Sequence, residues 1–280
     1  MKSSKSIAQL IWLRFPTMNT AWTDKAGTNG AALTPRKFST ADIADALATG
    51  WRTFRAMPAA SMAFAALFVL IGLALLAAVG GFGISPMALP FAGGFMLVGP
   101  ALLTGFFRLA VILAEGRKPR LFDAFTAFTH APAGLWLVDL LCAFLFLIWI
   151  TDAAILYTVM IGDERHDMAW LISLQRQMVA FELWGMLMGS VLAFIILAIS
   201  AFSVPLLHER RANLVQAINA SVHAVFGNFL TCIAWGLVLT SATLVSILLL
   251  PLLIVVLPVL AYASFGLYRK VFPLPEHGTG

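Results

Sequence analysis

The sequence predicts an all-α membrane protein, a polytopic bundle of six transmembrane helices with two or three amphipathic helices at the membrane surface. Of its 280 residues, 61% are hydrophobic and only 11% are charged. Soluble domains are about 45–50% apolar and about 25% charged. The apolar runs reach membrane-spanning length, about 20 residues, whereas a β-barrel would show short alternating segments.

The chain divides into three parts. Residues 1–38 are polar and lack a sustained period, so we expect a disordered cytoplasmic tail. Residues 39–270 form the membrane domain, and residues 271–280 form a short polar tail. The spans are predicted at about 58–79, 87–113, 134–157, 179–204, 229–249 and 251–268.

Prolines mark two features of these spans. Pro90 and the Gly99-Pro100 step lie inside the second span, where a kink is expected. The apolar run from Phe229 to Tyr268 is too long for one crossing. Pro251 and Pro258 allow it to fold as a tight hairpin of two spans.

Two stretches outside the spans predict interfacial helices. The first begins at Ser39, and Asp42, three residues later, has the spacing of a capping box with it. The second is a one-sided helix over residues 213–226, with its polar side at Asn213, Gln216, Asn219 and His223. Its apolar stripe consists of Leu214, Val215, Ile218, Val222, Val225 and Phe226. A shorter one-sided helix follows the second span, with Leu121, Phe122, Phe125 and Phe128 on one face.

The basic residues predict the orientation. Fifteen Lys and Arg residues fall in the segments on one side of a six-span model, and two, Arg165 and Arg176, fall on the other. The positive-inside rule then places both termini in the cytoplasm. Because the basic residues sit at the ends of apolar segments, the net charge of +5 does not indicate nucleic-acid binding.

Charged residues inside predicted spans are the candidate site residues, because they are costly there and often functional. Arg108 and Asp139 lie at matched depth near the cytoplasmic ends of the second and third spans. A structural ion pair is favoured over a transport role, because the middles of the spans carry few polar groups. The simpler alternative is that Arg108 extends to the interface and Asp139 meets interfacial water.

Asp152 and Glu182 lie toward the opposite side, in adjacent spans. Two carboxylates can bind a cation or share a proton. They are more often boundary residues that face water or pair with Arg165 or Arg176. Gly185 and Gly189 form a GxxxG pair that permits close helix approach, within the chain or between copies.

Motifs of enzymatic chemistry are missing from the sequence. It contains no GxSxG, HExxH, CxxC or Walker loop. A haem in a helical bundle needs axial ligands, most often His. The five histidines fall in predicted loops, interfacial helices or the tail: His130, His166, His208, His223 and His277. No cofactor or metal site is predicted.

Four segments, taken in order, resemble a known family: FRAMPAASMAFAALFVLIGLALL, LPFAGGFMLVGPALLTGFFRLA, FSVPLLHERRANLVQAINASVHAV and LPVLAYASFGLYRKVF. Over residues 40–270 the chain is similar to the bacterial integral membrane family of domain of unknown function 2189. The resemblance implies a bacterial inner-membrane protein without an established activity. Some relatives carry a label suggesting cytochrome oxidase subunit I, which the positions of the histidines argue against.

The function predicted from these features is non-enzymatic. We expect a membrane scaffold or accessory subunit in contact with the lipid bilayer and with other membrane proteins. The alternative is a small-solute or ion transporter that uses the buried acids. The sequence indicates neither a substrate nor an oligomeric state.

Overall fold

A computed structural model describes residues 33–88, 90–91, 100–162 and 175–274. Every secondary-structure element in these ranges is a helix. In chain order they are α1 (Thr40–Ala56), α2 (Pro58–Phe82), α3 (Pro100–Ala114), α4 (Leu121–Thr129), α5 (Ala133–Met160), α6 (Arg176–Ser200), α7 (Ser203–His208), α8 (Leu214–Gly227), α9 (Phe229–Leu248) and α10 (Leu253–Val271).

Five segments of the described chain are long and apolar enough to cross a membrane. They are α2, α5, the continuous stretch Arg176–His208 that contains α6 and α7, the first 18 residues of α9, and α10. They correspond to the first, third, fourth, fifth and sixth predicted spans. Their outward faces carry exposed apolar side chains such as Leu70, Leu140 and Leu237, which suits contact with lipid.

The second predicted span, 87–113, is described only in part. Its second half is α3, which is 15 residues long and therefore about 22 Å, short of a full crossing. Residues 89 and 92–99, including Gly99, lie outside the described residues, so the six-span count stays a prediction. Residues 163–174, between the third and fourth predicted spans, also lie outside them.

The hairpin between the last two spans turns at residues 249–252. Helix α9 ends at Leu248, a 3₁₀ turn covers Leu250–Leu252, and α10 begins at Leu253. Pro251 lies in the middle of that turn, where a missing backbone N–H costs no helical hydrogen bond.

Helix α1 begins as predicted. Ser39 caps it, and the side chain of Asp42 accepts hydrogen bonds from both the N–H and the hydroxyl of Ser39, at 2.8 and 2.9 Å. It ends at Ala56. Met57 is not helical and separates α1 from α2, which begins at Pro58. Its buried face, Ile43, Ala46, Gly50 and Phe54, is one helical stripe.

That stripe is covered by α10, against which α1 runs antiparallel. Asp42 and Asp45 lie beside Lys270, near the end of α10. One to two turns farther along, a Cβ on Gly50 would lie 2.5 Å from the carbonyl oxygen of Val259. The two backbones therefore approach closely, which only glycine permits at this position. The apolar side of α1, predicted for the bilayer surface, is thus covered largely by protein.

An aromatic core joins α2, α3, α4 and α10. The rings of Phe64 and Phe106 lie 4.8 Å apart, and those of Phe106 and Tyr262 lie 5.9 Å apart. The hydroxyl of Tyr262 is 2.7 Å from Ser61 Oγ, so the one polar atom of this aromatic group is satisfied. The core holds the four helices at the end of the bundle where the charged side chains described below are found.

Candidate functional site

A group of charged side chains joins the corner after α7 to the end of α10. We call Glu209, Arg211, Tyr268 and Arg269 the charged node. Glu209 Oε1 pairs with the guanidinium of Arg269, and Glu209 Oε2 accepts a hydrogen bond from the hydroxyl of Tyr268 at 2.7 Å. Both oxygens of one carboxylate are therefore bound to α10, which lies about 60 residues later in the chain.

Arg211 completes the node by binding the two carbonyls that directly follow α10. Its Nη1 donates to the Tyr268 hydroxyl at 3.0 Å and to the Phe272 carbonyl at 2.6 Å, and its Nη2 donates to the Pro273 carbonyl at 2.8 Å. The final carbonyls of a helix lack partners within the helix. A cation placed there satisfies them and also opposes the negative end of the helix dipole.

The local fold of the corner explains why adjacent arginines point in different directions. Arg210 adopts φ of +53°, in the left-handed region. Its N–H donates to the Leu207 carbonyl, and the N–H of Arg211 donates to the Leu206 carbonyl, as at a glycine-terminated helix end. This turn directs Arg211 into the node, while Arg210 extends to the carbonyl of His130 at 3.0 Å.

The segment before α1 is bound to the same end of the bundle. The N–H of Arg36 donates to the Val271 carbonyl at 3.0 Å, and the N–H of Phe38 donates to Asn228 Oδ1 at 3.1 Å. The Phe38 side chain is buried and its ring lies against Phe202, 6.4 Å between centroids. Both residues fall within the segment 1–38 that the sequence predicts to be a disordered tail.

Two carboxylates of α1 hold Lys270. Its Nζ lies 3.1 Å from Asp42 Oδ1 and 2.6 Å from Asp45 Oδ2. The hydrogen bonds from Ser39 and the contact with Lys270 lower the pKa of Asp42 to about 2. Asp42 therefore stays ionised throughout the physiological pH range, and this attachment of α1 does not titrate there.

Helix α8 has three distinct faces. Its protein-facing side is a row of small residues, Ala217, Ala220, Ser221 and Ala224, and Ser221 Oγ donates to the Ala198 carbonyl at 2.8 Å. The predicted apolar stripe lies mostly on a second side and is exposed at Val215 (75%) and Phe226 (59%). The polar residues Gln216, Asn219 and His223 are exposed on a third side.

These faces follow from a rotation of 100° per residue, which separates the centre of the apolar side from that of the polar side by about 115°. The sequence predicts that the apolar stripe faces the bilayer surface or the ends of other helices, and the exposed Val215 and Phe226 leave that prediction open. Among the members of the stripe only Val225 is fully buried. Small residues allow α8 to pack closely, which a pattern based on large hydrophobic residues does not detect.

The predicted pair Arg108 and Asp139 lies near this end of the bundle. Both residues are half-buried, Arg108 on α3 and Asp139 on α5, three residues before Cys142. The ring of Phe107 is 6.1 Å from that of His208, so Arg108 lies near the level of the corner after α7. The pairing of Arg108 with Asp139 stays a prediction.

Asp152 and Glu182 lie near the opposite end, on the antiparallel helices α5 and α6. The contacts of Tyr157 with Phe181 and of Trp149 with Gly189 fix the register of the two helices. In this register Glu182 is level with residue 156, about 6 Å along the axis from Asp152. Glu182 Oε1 is buried and has no hydrogen-bond partner among the residues that the structure describes.

The GxxxG pair of α6 is used within the chain at one of its two glycines. A Cβ on Gly189 would lie 2.5 Å from the Trp149 ring, whereas the space beside Gly185 is open. The indole N–H of Trp149 donates to the Pro90 carbonyl at 2.9 Å. Proline cannot extend a helix normally, and the indole N–H satisfies a carbonyl at the site of the predicted kink.

The charged node and the two aspartates that hold Lys270 were not identified from the sequence as sites. The Lys and Arg residues among them served only to predict the orientation in the membrane. One feature of the sequence could have indicated the charged node: the segments HERR and YRK each place charged residues directly after an apolar run. In the described ranges, no group of three or more His, Cys, Asp and Glu side chains is placed to hold a metal ion.

Comparison with known proteins supports the membrane assignment. Residues 87–209 match the family model described as predicted integral membrane protein, domain of unknown function 2189. No curated protein and no solved structure matches the chain. The match confirms the resemblance over these residues, and together with the apolar helices it identifies an integral, multi-pass membrane protein of unknown function.

The matched residues include Glu209 but neither α1 nor α10. The charged node therefore connects the segment that resembles the family to helices that lie outside the match.

Proposed function

We propose that this protein is a non-enzymatic scaffold or accessory subunit of the bacterial inner membrane, with both termini in the cytoplasm. On this proposal the end of the bundle that carries the charged node faces the cytoplasm and presents a surface to other membrane proteins. Four of the fifteen basic residues assigned to that side, Arg210, Arg211, Arg269 and Lys270, lie at this end.

The observation that carries the proposal is the way this end is built. Segments far apart in sequence are fixed to one another by partly buried charged groups: the start of α1, the corner after α7, and the end of α10. Breaking a buried ion pair leaves an uncompensated charge, so such a network favours one arrangement of its elements. A fixed arrangement is what a docking surface requires.

Helix α8 offers the surface itself. Its three faces suit a helix that lies beside the bundle, with Val215 and Phe226 toward the bilayer and Gln216 and Asn219 toward water. The polar face is then free for a partner, while the small-residue face is occupied by α6 and α7.

Site-specific crosslinking in cells tests this proposal. A photoreactive amino acid at Gln216 or Asn219 is expected to give an adduct of discrete mass with another protein. The matched controls are Val215 and Phe226 on the same helix, which should react with lipid alone. The proposal fails if the two polar positions give no protein adduct at normal expression, or if all four positions behave alike.

A further inference from the structure

The turn between α3 and α4 and the first turns of α4 form a surface on which basic and aromatic side chains lie together. We call Arg117, Lys118, Arg120, Phe122 and Phe125 the turn surface. All five side chains are exposed, and Phe122 is 79% exposed. Exposed aromatic rings next to basic side chains are the combination found on helices at a membrane surface.

The opposite side of α4 is firmly packed, so the exposure of Phe122 is not a sign of a loosely held helix. Ala124 and Ala127 are buried, and the carbonyl of Ala124 lies 3.3 Å from where a Cβ on Gly105 would be. The ring of Phe125, though partly exposed, lies 5.6 Å from that of Phe64 at the inner edge of the surface. Phe122 therefore projects from a fixed base.

The charge of the turn surface is positive. Two acidic residues are nearby, and both already accept hydrogen bonds. Glu115 is bound to the guanidinium of Arg117 at 2.5 Å, and Asp123 accepts from the N–H of Arg120 at 2.7 Å. The three basic side chains outnumber the two acids, and Lys118 and the Arg120 guanidinium extend into solvent.

We propose that the turn surface binds an anionic phospholipid of the cytoplasmic leaflet, with Phe122 among the upper acyl carbons and Arg117, Lys118 and Arg120 at the phosphate. This rests on the cytoplasmic orientation proposed above, and it names the lipid that this side of the molecule prefers. Helices bound at a membrane surface have this arrangement, with aromatic side chains among the acyl chains and basic side chains at the headgroups.

A lipid is favoured over a protein partner because of the position of Phe122. The next turn of the same helix carries Phe125, whose ring lies 5.6 Å from that of Phe64 in α2, a membrane-spanning candidate, so Phe122 remains beside the bilayer. Anionic lipid attracts each nearby basic residue by about 1 kcal/mol, equivalent to about a fivefold change in affinity.

Native mass spectrometry of the full-length protein in mild detergent tests the proposal by titration with phosphatidylglycerol and with phosphatidylcholine. The variant Arg117→Gln/Lys118→Gln/Arg120→Gln is expected to weaken phosphatidylglycerol binding about 100-fold, at about fivefold per charge. It should weaken phosphatidylcholine binding much less, because the choline cation offsets the charge of that lipid's phosphate. The control is Arg36→Gln/Lys37→Gln/Arg52→Gln, which removes an equal number of positive charges from exposed positions outside the turn surface. Equal weakening by the two variants would overturn the proposal.

Two further measurements distinguish a lipid headgroup from free phosphate. Phe122→Asn should weaken the binding of both lipids about tenfold, because the apolar contact is lost. Glycerol phosphate at millimolar concentration should not displace phosphatidylglycerol, since it lacks the acyl chain. Displacement would show a site for free phosphate instead. If the triple variant loses a co-purifying acidic protein while lipid binding persists, the surface is a protein interface and the proposal is wrong.

Failure of this proposal and failure of the scaffold are distinguishable. Crosslinking from Gln216 and Asn219 does not involve the turn surface, and lipid titration does not involve α8. The melting temperature of each triple variant, which changes only exposed side chains, shows that folding is retained.

Discussion

Two adjacent arginines after α7 have opposite structural roles. Arg211 is partly buried and satisfies three acceptors at the end of α10, whereas Arg210 is exposed and holds a left-handed backbone conformation that favours glycine. The left-handed backbone conformation at Arg210 thus gives two adjacent arginines different environments.

Replacement of each arginine tests that difference. Arg211→Gln should lower the melting temperature, because it leaves two carbonyls without a donor and removes a positive charge near Glu209; a buried acceptor left unsatisfied typically costs about 1–3 kcal/mol. Arg210→Gly, the matched control, should be neutral or stabilising by about 1 kcal/mol, since it relieves the backbone. Thermal unfolding in mild detergent measures both. Equal losses would contradict the assignment of roles.

Glu182 is half-buried, and one of its carboxylate oxygens has no hydrogen-bond partner in the described part of the chain. Glu182→Gln removes the charge and keeps the shape, so we expect the melting temperature to stay the same or rise. Leu183→Gln, at a neighbouring exposed position, controls for a polar amide in the span. A clear loss for Glu182→Gln alone would mean that the carboxylate binds a cation or a basic group.

At the scale of the elements, α1 depends on Gly50. Gly50→Ala places a methyl group 2.5 Å from the Val259 carbonyl and 2.9 Å from the Ala263 nitrogen, both backbone atoms that cannot move aside cheaply. We expect a loss of stability of about 1–3 kcal/mol, as for overpacked cores. Gly81→Ala on α2 meets open space and should be neutral or slightly stabilising. Similar melting temperatures for the two variants would mean that α1 does not pack on α10 in this way.

The attachment of α1 to Lys270 predicts a pH dependence in the acidic range. The pKa of Asp42 is lowered to about 2, below its value of about 3.9 in an unfolded chain. Its contribution to stability is therefore complete above about pH 4 and is lost as the pH falls toward 2. Between pH 4 and pH 2, the stability of Asp42→Asn should decrease less steeply than that of the wild type. Parallel curves would exclude this contribution.

The sequence predicts the helices better than their packing. The capping box of Ser39 and the turn at Pro251 depend on neighbouring residues, and both are found. The buried side of α8 depends on what packs there. Because the neighbouring helices approach closely, Ala217, Ala220 and Ala224 are buried and the larger Val215 is not. The node of Glu209 and Arg269 joins residues 60 apart, and no local pattern in the sequence relates them.

At the scale of the whole molecule, the prediction concerns topology. If the end with the charged node faces the cytoplasm, reporter fusions after residue 85, after residue 165 and at the C-terminus should report outside, outside and inside. The fifteen-to-two distribution of basic residues is the physical reason. An outside C-terminus would mean that the region from Phe229 to Tyr268 does not form two spans, and the cytoplasmic assignment of the charged node would fail with it.

The contact of α1 with α10 also bears on the order in which the protein is made. Asp42 and Lys270 are 228 residues apart. At a synthesis rate of about 5–20 residues per second, α1 leaves the ribosome roughly 10–45 s before its partner helix. During that interval the face around Gly50 has no native neighbour. A chain that stops before α10 would keep this face uncovered permanently, and a quality-control protease could thereby distinguish truncated chains from complete ones.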